Sequence, residues 1–239
     1  MYEAVHALPD GDSTVARMAL TASDYGYDGI VVANHGDSPA SYDPEAISDE
    51  YGIDLVTGVE VRADDPSRAS GFVGNHRENQ TIVAIHGGDP KMNRFAVEQA
   101  AVDVLAHPMV GDGDFNHVLA REAAANGVRV ELSFARVLRR DGGQRVQAIR
   151  SLRKLHELVT HYDTPYVVSA GATNHLQLRA PRELVALGEQ IGIPGEDVET
   201  GLREWQRLAE RNRGRHSDAF VEPGVWRGSC QDADETDSS

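Results

Sequence analysis

The chain has 239 residues, with 38 acidic side chains against 23 basic ones and a net charge of −15. That length suffices for one large α/β domain with a full core. No apolar run approaches the roughly 18 residues needed to cross a membrane. The opening MYEAVHALPDGD lacks the basic and apolar stretches of an export signal, so a cytoplasmic protein is expected. The single cysteine, Cys230, excludes an internal disulfide and is read as incidental. Taken alone, the acidity argues against a nucleic-acid partner. Yet lysine occurs only at Lys91 and Lys154, all other basic residues being arginine, as in proteins adapted to molar salt. There the Debye length falls to about 3 Å, so overall charge says little about partners while local arginine clusters keep their meaning.

Seven apolar runs have strand character, and helical segments fall between them. Tyr2–Leu8 is the first strand, followed by a helix over Ser13–Tyr25 with Ser13 as N-cap and Gly26 beyond its end. Gly29–Asn34 precedes a helix over Asp43–Tyr51, with Pro44 at its first position and Gly52 past its end. Leu55–Val61, Thr81–His86, Val102–His107, Val128–Phe134 and Tyr166–Ser169 are the remaining strands. Helices are predicted near Pro66–Glu78, Lys91–Ala100, Phe115–Asn126, Gln144–His161, Pro181–Ile191 and Gly195–Arg213. Most strands are near-continuous in Val, Ile, Leu and Ala, as expected of strands covered on both faces. Seven strand–helix units favour a distorted α/β barrel of about seven parallel strands over 1–213. Residues 214–239 turn polar and acidic without periodicity and are expected to be a mostly disordered tail.

Val102–Phe134 is the most informative stretch. VDVLAHP ends a buried strand on histidine and proline, a helix follows, and the next strand carries Glu131 and Ser133 near its end. Strand–helix–strand at this spacing is a parallel crossover unit, and groups at the carboxyl ends of parallel strands are the ones that meet ligands.

Four histidines, His6, His35, His86 and His107, close strands on that edge, and Glu60 and Glu131 join them. Imidazoles and carboxylates around a barrel mouth are the layout of a hydrolytic metal site. GVEVR and AHP also resemble strand motifs of the polymerase-and-histidinol-phosphatase (PHP) phosphoesterases, which are distorted seven-stranded barrels. Two departures stand against a working site. That family opens with two metal-binding histidines one residue apart, where His6 stands alone. It closes with an Asp and a His one residue apart, where the chain runs SAGATNHL and offers Asn174 beside His175. Too few ligands per ion are then expected. His6, His35, Glu60, His86 and His107 are read as vestigial, hydrogen-bonded residues, with no metal and no catalytic residue in this chain. A PHP-type metal-dependent phosphoesterase acting alone through those five remains the alternative.

A second constellation is basic. Between Arg136 and Lys154 the chain holds Arg136, Arg139, Arg140, Arg145, Arg150, Arg153 and Lys154 against the single acid Asp141. The segment leaves the sixth strand through a Gly-Gly loop and enters a helix, so guanidiniums can fan around one rim. The planar fork of arginine suits phosphate through paired charge-assisted bonds; a solvated helix face paired with acids is the competing reading. Arg203, Arg207 and Arg211 form a weaker stripe on the last helix, read as a surface face with intrahelical pairs. After the seventh strand, SAGATNHLQLRAP places small residues and Arg179 just before a helix opening at Pro181, a weak anion-binding signal. No phosphate-binding glycine loop, nucleophile elbow or zinc-type cysteine pair is present.

VDVLAHP, AREAAANGVRVELSF, the Arg-rich turn and helix, and TPYVVSAGATN…LRAP together resemble one family. They are similar to ribonuclease P protein component 3, the archaeal form of the thirty-kilodalton protein subunit of ribonuclease P, over roughly residues 1–195. The lysine-poor, acidic composition fits a haloarchaeal member. The resemblance implies a PHP-like (TIM-like) barrel stripped of metal ligands. It implies a non-catalytic subunit of an endoribonuclease that removes the 5′ leader from precursor tRNA. It also implies that the RNA subunit does the chemistry with Mg²⁺, no cofactor being bound by this chain. Expected partners are ribonuclease P RNA, protein component 2 and the other protein subunits, with precursor tRNA as holoenzyme substrate and no membrane. From local charge, Arg136, Arg139, Arg140, Arg145, Arg150 and Arg179 are the expected RNA contacts.

Overall fold

The chain is seen here as a computed structural model describing residues 1–215 and the backbone of 220–222 and 225–226. In chain order the elements are β1 (Tyr2–Val5), α1 (Val15–Asp24), β2 (Gly29–Val32), α2 (Pro44–Tyr51), β3 (Asp54–Val61) and α3 (Pro66–Arg77). Then come β4 (Ile82–His86), α4 (Pro90–Val97), β5 (Val104–Ala106), α5 (His117–Asn126), β6 (Arg129–Ser133) and α6 (Ala135–Arg139). Next are α7 (Gly142–His161), β7 (Tyr166–Ser169), a 3₁₀ turn (His175–Gln177), α8 (Pro181–Gln190) and α9 (Gly195–Arg215). Phe220–Glu222 (β8) and Val225–Trp226 (β9) pair antiparallel. The rest of the expected tail, Cys230 included, lies outside the described residues.

Local chemistry explains where the helices start. Three of them open on an Asp-Pro step: Asp43, Asp65 and Asp89 accept first-turn N–H groups while Pro44, Pro66 and Pro90 take the position that needs no donor. Gly52 closes α2 with φ +61°, as its sequence position suggested. Two details differ from expectation. Thr14, not Ser13, caps α1, accepting from Arg17 N–H at 3.2 Å, because the Ser13 hydroxyl is taken by His175. The Gly-Gly pair is not a loop either; Gly142 and Gly143 are the first turn of α7, and the short α6 intervenes after β6.

β1 to β7 lie side by side in sequence order, every neighbouring pair parallel. The sheet curls until β1 and β7 nearly meet. One parallel bridge, Val5 to Ala172, joins the edges, and His6 N–H donates to the Ala172 carbonyl at 3.0 Å. The result is the nearly closed seven-stranded barrel that the strand count predicted. Its outer layer is apolar, with Ile30, Ile85, Leu105 and Leu132 packed under the helices.

The interior is filled differently. Tyr2, Ala4, Val31, Ala33, Val56, Ile82, Ala84, Val104 and Val167 face inward and pack on Trp205, Leu208 and Ala209 of α9. The last helix therefore plugs the barrel, and small interior side chains leave it room. Trp205 Nε1 donates to the Val168 carbonyl at 2.9 Å. Polar clips fix α9 to the amino ends of the strands: Arg213 grips Asp54 at 2.7 and 2.9 Å. Asp103, just before β5, accepts from Arg211 at 3.0 Å and Asn212 at 2.9 Å. The Arg stripe thus divides. Arg203 and Arg207 pair within the helix with Glu199 and Glu204, whereas Arg211 leaves the helix for Asp103. Among the described residues, α9 covers the amino end and the barrel opens at the carboxyl ends of the strands.

Candidate functional site

Side-chain alternation carries the barrel lining up to this opening. Along β1 and the residue after it, Tyr2, Ala4 and His6 share a face; Val31, Ala33 and His35 do so at β2, and Ile82, Ala84 and His86 at β4. On β3 the same spacing leads from Val56 through Gly58 to Glu60. Each of these four strands is apolar where it meets α9 and ionisable where it reaches the mouth. His107 falls out of step with Val104, and its φ of +52° places it in the left-handed region. Its ring joins the others nonetheless.

Glu60 is the hub and is 2% exposed. Its carboxylate lies 3.3 Å from His6 Nε2 and 3.7 Å from both His35 Nε2 and His107 Nε2, and it also receives His86 Nδ1. Neighbouring rings stand 5.0, 5.3 and 5.4 Å apart in the order His6, His35, His86, His107. Behind them lie two more carboxylates. Asp10 accepts from His6 Nδ1 at 2.7 Å, from His35 Nδ1 at 2.9 Å and from His35 N–H at 3.0 Å. Glu131 receives His107 Nδ1 and N–H, both at 3.0 Å, and the Ser169 hydroxyl. A cavity of about 260 Å³ opens here, with Trp205 among its lining residues and Arg139 and Thr173 also bordering it.

Charge holds this ring together. Burial would raise Glu60, yet the His107 charge and hydrogen bonds from His107, His6 and His86 keep its carboxyl well below the usual range. Burial likewise disfavours a charged His6, but hydrogen bonds to Asp10 and Glu60 raise it to about 9. His107 is raised well above the ordinary imidazole value against the same opposition, through Glu131 and Glu60. Asp10 and Glu131 are held below their ordinary values by these histidines, again against burial.

Beside the expectation that too few ligands remain, the mouth gathers more candidate donor groups than the strand ends alone supply. Three trios, His6–Asp10–His35, His6–Glu60–His107 and His35–Glu60–His86, each offer ligand atoms within 4.8 Å of one another. Asp10 joins the cluster by accepting from the His6 and His35 rings, and sequence reading missed it because it lies on the loop after β1. Its one visible signal is the turn PDGD. Gly11 makes that turn possible, since a Cβ there would sit 2.1 Å from the His6 carbonyl and 2.3 Å from the Thr173 carbonyl. His175 and Asn174 stay out of the ring; His175 bonds to Ser13, and Asn174 caps the 3₁₀ turn.

The basic segment is less paired than a solvated helix face would be. Among the described residues, Lys154 is its one member in an ion pair, with Asp114 at 2.8 Å. Arg139 donates to the Ala170 and Gly171 carbonyls, Arg145 to the Arg140 carbonyl and Arg153 to the Ile191 carbonyl. No side-chain bond or ion pair occupies Arg136, Arg140 or Arg150 among the described residues. α6 carries Arg136 and Arg139 away from the carboxyl end of β6, placing Arg139 at the mouth. Arg179 donates to the Leu176 and Leu178 carbonyls after β7, close enough to Arg139 for their charges to repel.

Residues 1–217 match the sequence model of the family described as RNase P subunit p30. The chain belongs to that family and is a protein subunit of ribonuclease P. Ribonuclease P protein component 3 of Haloarcula marismortui is 65% identical over 225 residues, which cover 94% of this chain and 96% of that one. A chain in a structure of archaeal ribonuclease P with mature tRNA superposes with a TM-score of 0.81 at 24% identity, covering 94% and 96% of the two chains. A histidinol phosphate phosphatase from Lactococcus lactis, crystallised with zinc, L-histidinol and phosphate, gives a TM-score of 0.52 at 12% identity over 80% of this chain and 94% of that one. This chain thus shares its fold with that phosphatase.

Proposed function

We propose that this ribonuclease P subunit braces the RNA of the holoenzyme and contributes no catalytic residue to removal of the 5′ leader from precursor tRNA. In this reading the RNA subunit performs the hydrolysis with its own Mg²⁺. Ribonuclease P protein component 2 is the nearest protein partner, and the assembly works in the cytoplasm. The RNA-facing side chains are Arg136, Arg139, Arg140, Arg145, Arg150 and Arg179.

One observation carries this most. In a chain at −15, seven cations cluster between Arg136 and Lys154, and among the described residues only Lys154 is neutralised by an acid. Cations in an acidic, high-salt protein would ordinarily gain by pairing. Arg136, Arg140 and Arg150 carry no side-chain bond among the described residues and remain available to an external anion. Arg139, Arg145 and Arg153 hold backbone carbonyls and keep their charge unneutralised. Arginine forks bound to phosphate at short range are also screened by salt less than diffuse charge is. Crosslinking of the reconstituted holoenzyme at high KCl tests the assignment. RNA adducts should map to the 136–154 segment and to Arg179. Adducts confined to other surfaces would remove these residues from the interface, and an adaptor that touches only protein would then be the better description.

A further inference from the structure

The ring at the mouth is built in a way that RNA bracing does not require. A carboxylate can only accept hydrogen bonds, so an imidazole nitrogen lying against one carries a proton. Asp10 faces His6 Nδ1 at 2.7 Å and His35 Nδ1 at 2.9 Å, while Glu131 faces His107 Nδ1 at 3.0 Å. Three rings are therefore fixed in one orientation, with Nδ1 turned outward to an acid and Nε2 turned inward. All three inward nitrogens converge on Glu60, at 3.3, 3.7 and 3.7 Å. Each Nε2 is left as the position that a second proton or a cation takes. Carboxylate behind, imidazole between and a shared centre in front is the arrangement by which proteins orient metal-ligating histidines.

The spacing fits as well. Donors about 2.0–2.1 Å from a tetrahedral ion stand roughly 3.3 Å from one another. Glu60 and His6 are at that separation, as are His35 Nε2 and His86 Nδ1. The three inward nitrogens and one carboxylate are borderline donors, suited to zinc, manganese or iron more than to calcium or magnesium.

We propose that the mouth of the barrel binds one divalent first-row cation through His6, Glu60 and His107, with Asp10 and Glu131 orienting the two rings. The adjoining trio His35–Glu60–His86 shares Glu60 and offers a second, weaker position. The cation sits at the carboxyl edge beside Arg139 and draws the ends of β1, β3 and β5 together. This goes beyond the RNA-bracing role and does not depend on it.

Untagged full-length chain at high KCl, stripped with chelator and dialysed, is titrated with Zn²⁺ or Mn²⁺ and followed by calorimetry, elemental analysis and thermal melting. About one equivalent should be retained after desalting, the melting temperature should rise on loading, and chelator should reverse the rise. Cobalt loading should give the visible absorption of a nitrogen-ligated ion. Glu60→Gln should lose that equivalent, and Asp10→Asn should weaken it by about 10–100-fold. If Glu60→Gln does not fold, the chelator-dependent melting shift and cobalt spectrum of the unmodified chain still decide. Binding that survives in folded Glu60→Gln would be surface adsorption and would overturn the proposal. So would a melting temperature indifferent to Zn²⁺, Mn²⁺ and chelator, since the ring would then be closed on itself by hydrogen bonds. Neither readout involves precursor-tRNA cleavage, so failure here and failure of the RNA-bracing reading are separable.

Discussion

Asp10 holds His35 at two points: its carboxylate accepts the His35 backbone N–H at 3.0 Å and the ring Nδ1 at 2.9 Å. A loop residue thereby ties the end of β1 to the end of β2 at the rim of the barrel, and His6 leans on the same group at 2.7 Å. The mouth is thus a single charge-linked collar.

Replacing Asp10 by alanine leaves the His35 N–H and the His6 ring without their acceptor in a half-buried setting. A cost of about 1.5–3 kcal/mol is expected, as for hydrogen bonds to charged groups. Urea unfolding in chelator-containing buffer at high KCl would measure it. A change within error of zero would mean that water replaces Asp10 freely.

Trp205 should matter more. It is 3% exposed inside the barrel, and its indole N–H bonds to the Val168 carbonyl. Trp205→Ala opens the interior and is expected to cost about 3–5 kcal/mol. A loss below about 1 kcal/mol by the same unfolding measurement would contradict the view that α9 plugs the barrel.

Glu3 gives a pH dependence. Complete burial pushes its carboxyl up to about 8, against the hydrogen bonds it accepts from Ala170 N–H and Tyr27. Between the ordinary value of 4.5 and about 8 the folded chain holds a proton that the unfolded chain has released. This contribution to stability is therefore full at low pH and is lost as pH rises through about 8. Relative to Glu3→Gln, the unmodified chain should lose stability from pH 5 to 9. Parallel stability curves for the two would refute the shift.

Much of this architecture is legible in the residues. Tyr166–Ser169 is found with the bounds predicted, and Asp43, Pro44 and Gly52 frame α2 as their types demand. Strand ends are less legible. The apolar runs continue to Leu8, Asn34 and His107, but the ladders stop earlier because the chain must turn at the mouth. α6 escapes notice because its five residues are too few to display a helical period. Within the collar, His6, His35, Glu60 and His86 stand out because alternation delivers them from strands, and His107 because it closes a buried apolar run. Asp10 does not, because its position depends on Gly11 folding back against Thr173, a tertiary approach invisible to local pattern.

The unpaired arginines predict a salt signature. Neutralising Arg140 or Arg150 as Arg→Gln should weaken binding to ribonuclease P RNA and reduce the salt slope by about 0.7–0.9 for each phosphate no longer neutralised. Arg203→Gln, whose guanidinium already pairs with Glu199 at 2.7 Å, should leave both unchanged. Equal effects at all three positions would mean that general charge, not this rim, governs affinity.

Cleavage of precursor tRNA by the reconstituted holoenzyme at high KCl, titrated with Mg²⁺ with and without this chain, tests the account most directly. Addition of the chain is predicted to lower the Mg²⁺ requirement and raise the rate, while the purified chain alone leaves precursor tRNA and simple phosphodiesters intact. An unchanged Mg²⁺ profile, or phosphodiester turnover by the isolated chain that disappears in His107→Ala, would contradict it.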